Sequence, residues 1–261
     1  MNELKHRAFE LQPLSIERSL VSAVERSALR QQPFDHIYME DVLSPVDYEA
    51  LLAAMPDRHS YHELKHADAM RPDGSSTRLR LYLYPELLKT LPEEQQRVWM
   101  PVAEALCSPR LRNALKAKFR AALETRFGKP IRKIGMYPIP ILLRDQPGYR
   151  IGIHADAPVK AITVQFYLPA NTWQRHVGTI FHEGESGDAA ARTTRMPFLP
   201  ATGYAFPVSQ TKSWHSAAPT TEKDGERVSM MVTYYSTDSL FAWCKYRLRR
   251  LALRAGIHPK G

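Results

Sequence analysis

After Gly128 the chain becomes a series of short β-forming runs broken by Pro and Gly, and this constrains its fold more than any other feature. The clearest runs are Ile139–Leu143, Ala161–Leu168, Thr179–Phe181, Gly203–Pro207 and Val228–Tyr235. Many short strands separated by turn signals predict a sandwich or barrel. What precedes them is mostly helical in pattern. A helix is expected over Ile16–Leu29. Ser44-Pro45 opens another through Leu52, with Ser as the cap, Pro at the first helical position and Asp47 in the first turn. Two more are expected near 93–106 and 109–126, the second begun by Ser108-Pro109 and ended by Gly128. Phe34–Met39 and Arg78–Tyr84 read as strands, and the breaker-rich stretch 56–77 as a loop. Helices first and strands afterwards argue for an α+β fold rather than a doubly wound sheet. The expected organisation is an N-terminal helical extension over 1–32, a single domain over 33–236 (helical part 33–128, β-core 129–236), and a basic helix over 237–261.

A chain of 261 residues suits one large domain or two small ones. With 44% hydrophobic residues it has enough apolar surface to offset its ordering entropy, so disorder throughout is excluded. No window is long and apolar enough for a membrane-spanning helix. Neither common Gly-rich phosphate loop is present, so a nucleotide-binding fold has no support. Two cysteines, Cys107 and Cys244, make neither a disulfide framework nor a Cys-based zinc site. Met1 to Arg7 lack the apolar core of a signal peptide, and a reducing, cytoplasmic setting is the expectation.

The net charge of +9 is concentrated at one end. Lys245, Arg247, Arg249, Arg250, Arg254 and Lys260 lie in the last seventeen residues without an acid among them, and setting those six aside leaves +3. Leu240, Phe241, Cys244, Leu248 and Leu251 recur at helical spacing there, with Thr237 or Asp238 as start cap and Gly256 as end. One reading docks this helix on the body through its apolar stripe and leaves a basic face in water. The other attaches it to anionic lipid, a peripheral membrane contact, or to a phosphorylated substrate.

Two metal-ligand patterns compete. His62-Glu63-Leu64-Lys65-His66 is an H-E-x-x-H string, which on a helix places two imidazoles for zinc and a Glu as general base, as in a zinc protease. Its context argues against that, because Pro56 and Pro72 bracket it within the stretch richest in breakers. The second pattern is His154-Ala155-Asp156, followed sixty-one positions after His154 by His215. Two imidazoles and one carboxylate on one face of an ion are the donor set of non-haem iron(II) oxygenases. In a strand, residues i and i+2 point the same way, so His154 and Asp156 can share an ion, with His215 supplied by another strand. Twelve residues after His215, Arg227 and Ser229 share a face of the expected last strand, where a guanidinium binds a carboxylate bidentately.

These residues carry a resemblance. The run from Tyr137 to Tyr235 resembles the 2-oxoglutarate- and iron(II)-dependent dioxygenases, in their prolyl-hydroxylase-like branch. Pro147-Gly148-Tyr149 looks like that branch's turn before the first ligand, Ala161–Leu168 like its next core strand, and Gly178-Thr179 like the entry to another. The resemblance implies a double-stranded β-helix core, jelly-roll or cupin-like, with the N-terminal helices packed on one sheet. It implies iron(II) held by His154, Asp156 and His215, with 2-oxoglutarate and O2 as cosubstrates. It assigns the distal carboxylate of 2-oxoglutarate to Arg227, with Ser229 and Tyr167 as helpers. The implied activity is hydroxylation of an aliphatic C–H with release of succinate and CO2.

Departures from the family pattern refine this. Asp156 is present where halogenases lack a carboxylate, so hydroxylation is favoured. Thr233 stands six residues after Arg227, where nucleic-acid demethylases carry a second arginine, so nucleic acid is not favoured as substrate. Arg144 stands where members often carry a tyrosine, and its role is open between cosubstrate and substrate. His176, His182 and Glu183 are expected on the surface of a long connection. Segments 56–77 and 170–198 are expected to shape the mouth, with Arg78, Arg175, Arg192 and Arg195 favouring an anionic substrate: a small molecule, a sugar or a lipid-linked glycan, with a peptide as the alternative. A non-catalytic jelly-roll binding protein is the rival reading.

Overall fold

Ser44 caps the helix it opens: its Oγ accepts the Asp47 N–H at 3.1 Å, which satisfies one of the donors that the first helical turn leaves unpaired. This helix, α2 (Pro45–Ala53), follows α1 (Pro13–Arg26) and is followed by α3 (Pro85–Leu88) and α4 (Glu93–Leu106). The computed structural model describes residues 11–65, 67–184 and 192–255. The run expected as one helix over 109–126 is two, α5 (Pro109–Lys118) and α6 (Arg120–Phe127). The chain turns at Phe119, whose ring is buried in the core. Gly128 closes α6 in the left-handed region at φ 61°, a conformation glycine adopts without a Cβ penalty.

The strands are β1 (Ile37–Met39), β2 (His62–Glu63), β3 (Arg78–Tyr82), β4 (Met136–Asp145), β5 (Ile151–His154) and β6 (Lys160–Tyr167). They continue with β7 (Thr179–His182), β8 (Thr193–Arg195), β9 (Gly203–Pro207), β10 (Trp214–Ala217) and β11 (Arg227–Ser236). They form two antiparallel sheets, one of seven strands in the order β1-β9-β6-β11-β4-β3-β2 and one of four in the order β5-β10-β7-β8. The architecture is the expected jelly roll, with helices on one face of the larger sheet.

Two central strands show why. On β6, Ile162, Val164 and Phe166 enter the core that also buries Ile16 and Leu20 of α1, Trp99 of α4 and Leu111 of α5. On β11, Met230, Val232 and Tyr234 do the same. Burying one such side chain contributes about 1.5–3 kcal/mol. The stretch expected as an N-terminal extension thus contributes α1 to this core. The alternate residues, Thr163 and Gln165 on β6 and Arg227 and Met231 on β11, turn to the opposite face, towards the smaller sheet, and line a cavity there. Both faces of these strands are covered, so their sequences read as nearly continuous buried runs.

Two readings of the sequence resolve here, the second by correction. His62 and Glu63 lie on β2, a two-residue exposed edge strand paired with β3, and not on a helix; His66 lies outside the described residues. Among the described residues of the Pro-bracketed stretch only short 3-10 turns form, at Arg58–Ser60 and Ala67–Ala69, and neither includes His62 or Glu63, so the H-E-x-x-H string lacks the α-helical face a zinc pair requires. The C-terminal helix α7 (Leu240–Arg254) docks, but by another face than the apolar stripe: Leu240, Phe241, Leu248 and Leu251 are exposed while Leu253 is buried. Aromatic and guanidinium groups make the contact instead, with Tyr246 stacked on Tyr137 at 4.3 Å and Arg250 bonded to Glu86. Ser239, rather than Thr237 or Asp238, caps its start, and Gly256 lies outside the described residues. Among the described residues no helix is long and apolar enough to cross a membrane.

Candidate functional site

β5 and β10 pair so that His154 and His215 are direct cross-strand neighbours, with ring centroids 4.3 Å apart. Each ring is oriented in the same way. Nδ1 of His154 meets the Gly152 carbonyl at 3.0 Å, and Nδ1 of His215 meets the Ser213 carbonyl at 3.0 Å. An imidazole whose Nδ1–H is fixed to a carbonyl offers Nε2 to an ion, which is the usual arrangement behind a metal-bound histidine. Asp156 is not on the strand. Pairing ends at His154, and Asp156 sits in the connection to β6, so its placement comes from side-chain bonds and not from the expected i, i+2 alternation. Thr163 donates its hydroxyl to Oδ2 at 2.5 Å, Lys160 donates to Oδ1, and Gln210 holds the Asp156 carbonyl.

The ligand atoms of His154, Asp156 and His215 lie within 4.8 Å of one another. Burial would push the Asp156 carboxyl up, but the Lys160 ammonium, then His215 and the hydrogen bonds, outweigh it and hold the group at about 2. Burial pushes His215 down to about 4, against the opposing pull of Asp156 and with the help of His154. At neutral pH the trio is therefore a carboxylate beside a neutral His215, the form that a divalent cation binds. Each carboxylate oxygen keeps a second lone pair beyond the bond it accepts. The donor set, its convergence and its outer bonds fit an iron(II) ion.

Arg227 also lines the cavity and is 1% exposed. Its Nη1 donates to Asp145 at 2.7 Å, its Nε to the Val177 carbonyl at 3.0 Å and its Nη2 to Thr179 Oγ1 at 3.2 Å. These partners engage Nε, Nη1 and Nη2, and the Tyr167 hydroxyl is a further hydrogen-bonding neighbour of the guanidinium. Gly178 matters here: a Cβ at this position would overlap the Met196 carbonyl, so only glycine lets β7 bring Thr179 against the guanidinium. Asp145 also accepts from Arg78, at 2.6 Å from Nε and 3.1 Å from Nη2. Arg78 in turn lies over the Tyr149 ring at 4.5 Å. Two guanidiniums thus share one carboxylate, and the cluster keeps a net charge of +1.

The helpers lie differently from each other. Ser229 is buried one layer behind the wall, accepting from Gln165 at 2.6 Å. Tyr167 also stands behind the cavity: its hydroxyl accepts the Thr179 N–H at 3.1 Å, and its ring lies 5.4 Å from the Arg227 guanidinium. Tyr149 and Tyr204 line the cavity instead. A hydrogen-bonded relay runs from Arg227 through Thr179 to the Tyr204 hydroxyl and on to Gln165.

Other expectations resolve by position. Arg144 pairs with Glu226 at 2.9 Å and lies over Tyr61, away from the cavity lining. His176 and Glu183 are exposed, as expected, with His176 bonded to Asp224. His182 is buried at the end of β7 and bonded to Ser216 at 2.7 Å, because β7 pairs with β10 there. Arg175, Arg192 and Arg195 do not line the cavity; its cations are Lys65, Arg78, Lys160 and Arg227. The cavity measures about 350 Å³. Lys160, Thr163, Gln165 and Tyr204 were not singled out by sequence reasoning. The polar pair Thr163 and Gln165, alternating within an otherwise apolar strand, was the available signal.

No protein-family model and no curated protein matches the chain by sequence. Solved structures do. A prolyl hydroxylase from Trichoplax adhaerens, in complex with a hypoxia inducible factor oxygen degradation domain peptide fragment, is 10% identical with a TM-score of 0.52, over 85% of this chain and 90% of that one. A Pseudomonas putida prolyl-4-hydroxylase is 13% identical with a TM-score of 0.51, over 84% of this chain and 98% of that one. The chain has the fold of these prolyl hydroxylases along most of its length.

Proposed function

We propose that this protein is an iron(II)- and 2-oxoglutarate-dependent oxygenase that hydroxylates an aliphatic C–H of an anionic substrate. The observation that carries this is the convergence of His154, Asp156 and His215 in a cavity that the buried Arg227 also lines. Iron(II) with 2-oxoglutarate and O2 supplies, when bound, the oxidising power for hydroxylation and releases succinate and CO2.

The chain's own residues have distinct tasks. His154, Asp156 and His215 hold the ion, and Thr163 and Lys160 fix the orientation of the carboxylate. Arg227 takes the distal carboxylate of 2-oxoglutarate on its terminal guanidinium nitrogens. The net +1 of Arg78, Asp145 and Arg227 balances that single negative charge, so neither a buried cation nor a buried anion is left unpaired. Tyr167 and Ser229 act as positioning residues from behind the wall, Tyr167 through Thr179 and Ser229 through Gln165. Lys65, exposed at the cavity, favours an anionic group on the substrate.

The deciding experiment is an anaerobic titration of the protein with iron(II) and 2-oxoglutarate, following the weak visible charge-transfer band of the chelate. The band is expected, and with O2 succinate forms. Binding without any succinate would favour the non-catalytic jelly-roll reading, and no band at all would remove the iron assignment.

A further inference from the structure

The docking of α7 leaves an apolar stripe facing outward. Its inner face is held firmly: Tyr246 stacks on Tyr137, Arg250 Nη2 bonds both Glu86 oxygens at 2.9 and 3.0 Å, and its guanidinium lies over Tyr84 at 4.3 Å. Arg249 lies over Tyr82 at 4.4 Å, and Leu253 is buried. These contacts set the helix's rotation. They turn outward Leu240 (71% exposed), Phe241 (82%), Leu248 (66%) and Leu251 (54%), together with the exposed Cys244. At 100° per residue these five fall within one sector of about 100°. Lys245 borders it on one side, and Arg247 and Arg254 on the other; all three are exposed, and Arg254 is paired with Glu86 at 3.2 Å. No acidic residue occurs from Ser239 to Gly261.

We propose that this outer face of α7 docks on an anionic lipid surface, with the helix lying in the plane of the interface. The stripe enters the headgroup and acyl boundary, and Lys245 on one side and Arg247 on the other reach the lipid phosphates. Charge selects this occupant. A second copy of the chain would bring basic flanks against basic flanks, and like charges face to face oppose association. A lipid surface is also planar, and an isolated convex helix with cations on both borders presents no groove to a protein segment. The inference does not depend on the chemistry of the cavity.

The test is co-sedimentation of the full chain with phosphatidylcholine vesicles and with vesicles in which part of that lipid is replaced by phosphatidylglycerol. Binding to the anionic vesicles, released by salt, and at least about tenfold weaker binding to the neutral ones are expected. The double variant Phe241→Ser/Leu248→Ser should weaken anionic-vesicle binding by about tenfold or more. Lys245→Glu should weaken it about fivefold or more. Both sets of side chains are exposed, so unchanged thermal unfolding serves as the folding control. Equal sedimentation of wild type and the double variant would overturn the proposal. So would sedimentation-velocity dimers that the double variant abolishes, which would assign the face to a second copy.

Discussion

Asp145 and Arg227 stand opposite each other in register across β4 and β11, and their side chains meet at 2.7 Å with almost no solvent exposure. Arg78 is in register with Asp145 from the other side, on β3. One carboxylate therefore compensates two guanidiniums, and the backbone ladder alone brings them together. Removing one partner of a buried ion pair leaves the other uncompensated. Asp145→Asn is expected to destabilise the metal-free protein by about 3–5 kcal/mol in urea unfolding. A loss below about 1 kcal/mol would mean that water or a relaxed arrangement already solvates the arginines.

Arg227 carries the cosubstrate assignment. In Arg227→Ala, Asp145 keeps Arg78 as its partner, so the fold should survive. The affinity for 2-oxoglutarate should fall by about thirtyfold or more, the scale of losing a charge-assisted anchor, with iron(II) affinity nearly unchanged. Calorimetric titration under anaerobic conditions measures both. Unchanged 2-oxoglutarate affinity would refute the role.

Much of this site was legible in the chain because its signals are local or chemically restrictive. His154, Asp156 and His215 form a donor set that few other arrangements explain, and Ser44, Ser108 and Gly128 mark helix ends by mechanisms confined to a few residues. Register was not legible. That Arg78 meets Asp145 depends on how β3 and β4 align across a separation of 67 positions, and nothing at either residue encodes it. The rotation of α7 was misread for a related reason. An apolar stripe normally marks the buried face, yet here Tyr246, Arg249 and Arg250 find aromatic and acidic partners on the body that a helix-only pattern does not display.

The two metal patterns separate by mutation. His215→Ala should lower iron(II) affinity by more than about a hundredfold, whereas His62→Ala, on an exposed edge strand, should leave it unchanged. Thr163→Val tests the outer bond: losing the hydroxyl at 2.5 Å from Asp156 should weaken iron(II) binding by about tenfold to a hundredfold. Competition with a fluorescent chelator gives these constants. An effect of His62→Ala equal to that of His215→Ala would reopen the H-E-x-x-H reading.

The clamp on α7 should respond to pH. Burial would push the Glu86 carboxyl up, but hydrogen bonds from its own backbone and from Arg250, with the Arg250 charge, hold it below its ordinary 4.5. A carboxyl lowered in the folded state stabilises docking in full above its unfolded value. That contribution is lost as pH falls through the folded value. The α7 amides should therefore exchange hydrogen faster below pH 4.5 than at neutral pH, after correction for intrinsic rates. Glu86→Gln removes the charge at every pH, so its α7 amides should exchange about fivefold or more faster than wild type at neutral pH, and its protection should vary little on acidification. Wild-type protection that stays constant across this range would show that Tyr246 and Leu253, rather than the Glu86–Arg250 pair, hold the helix in place.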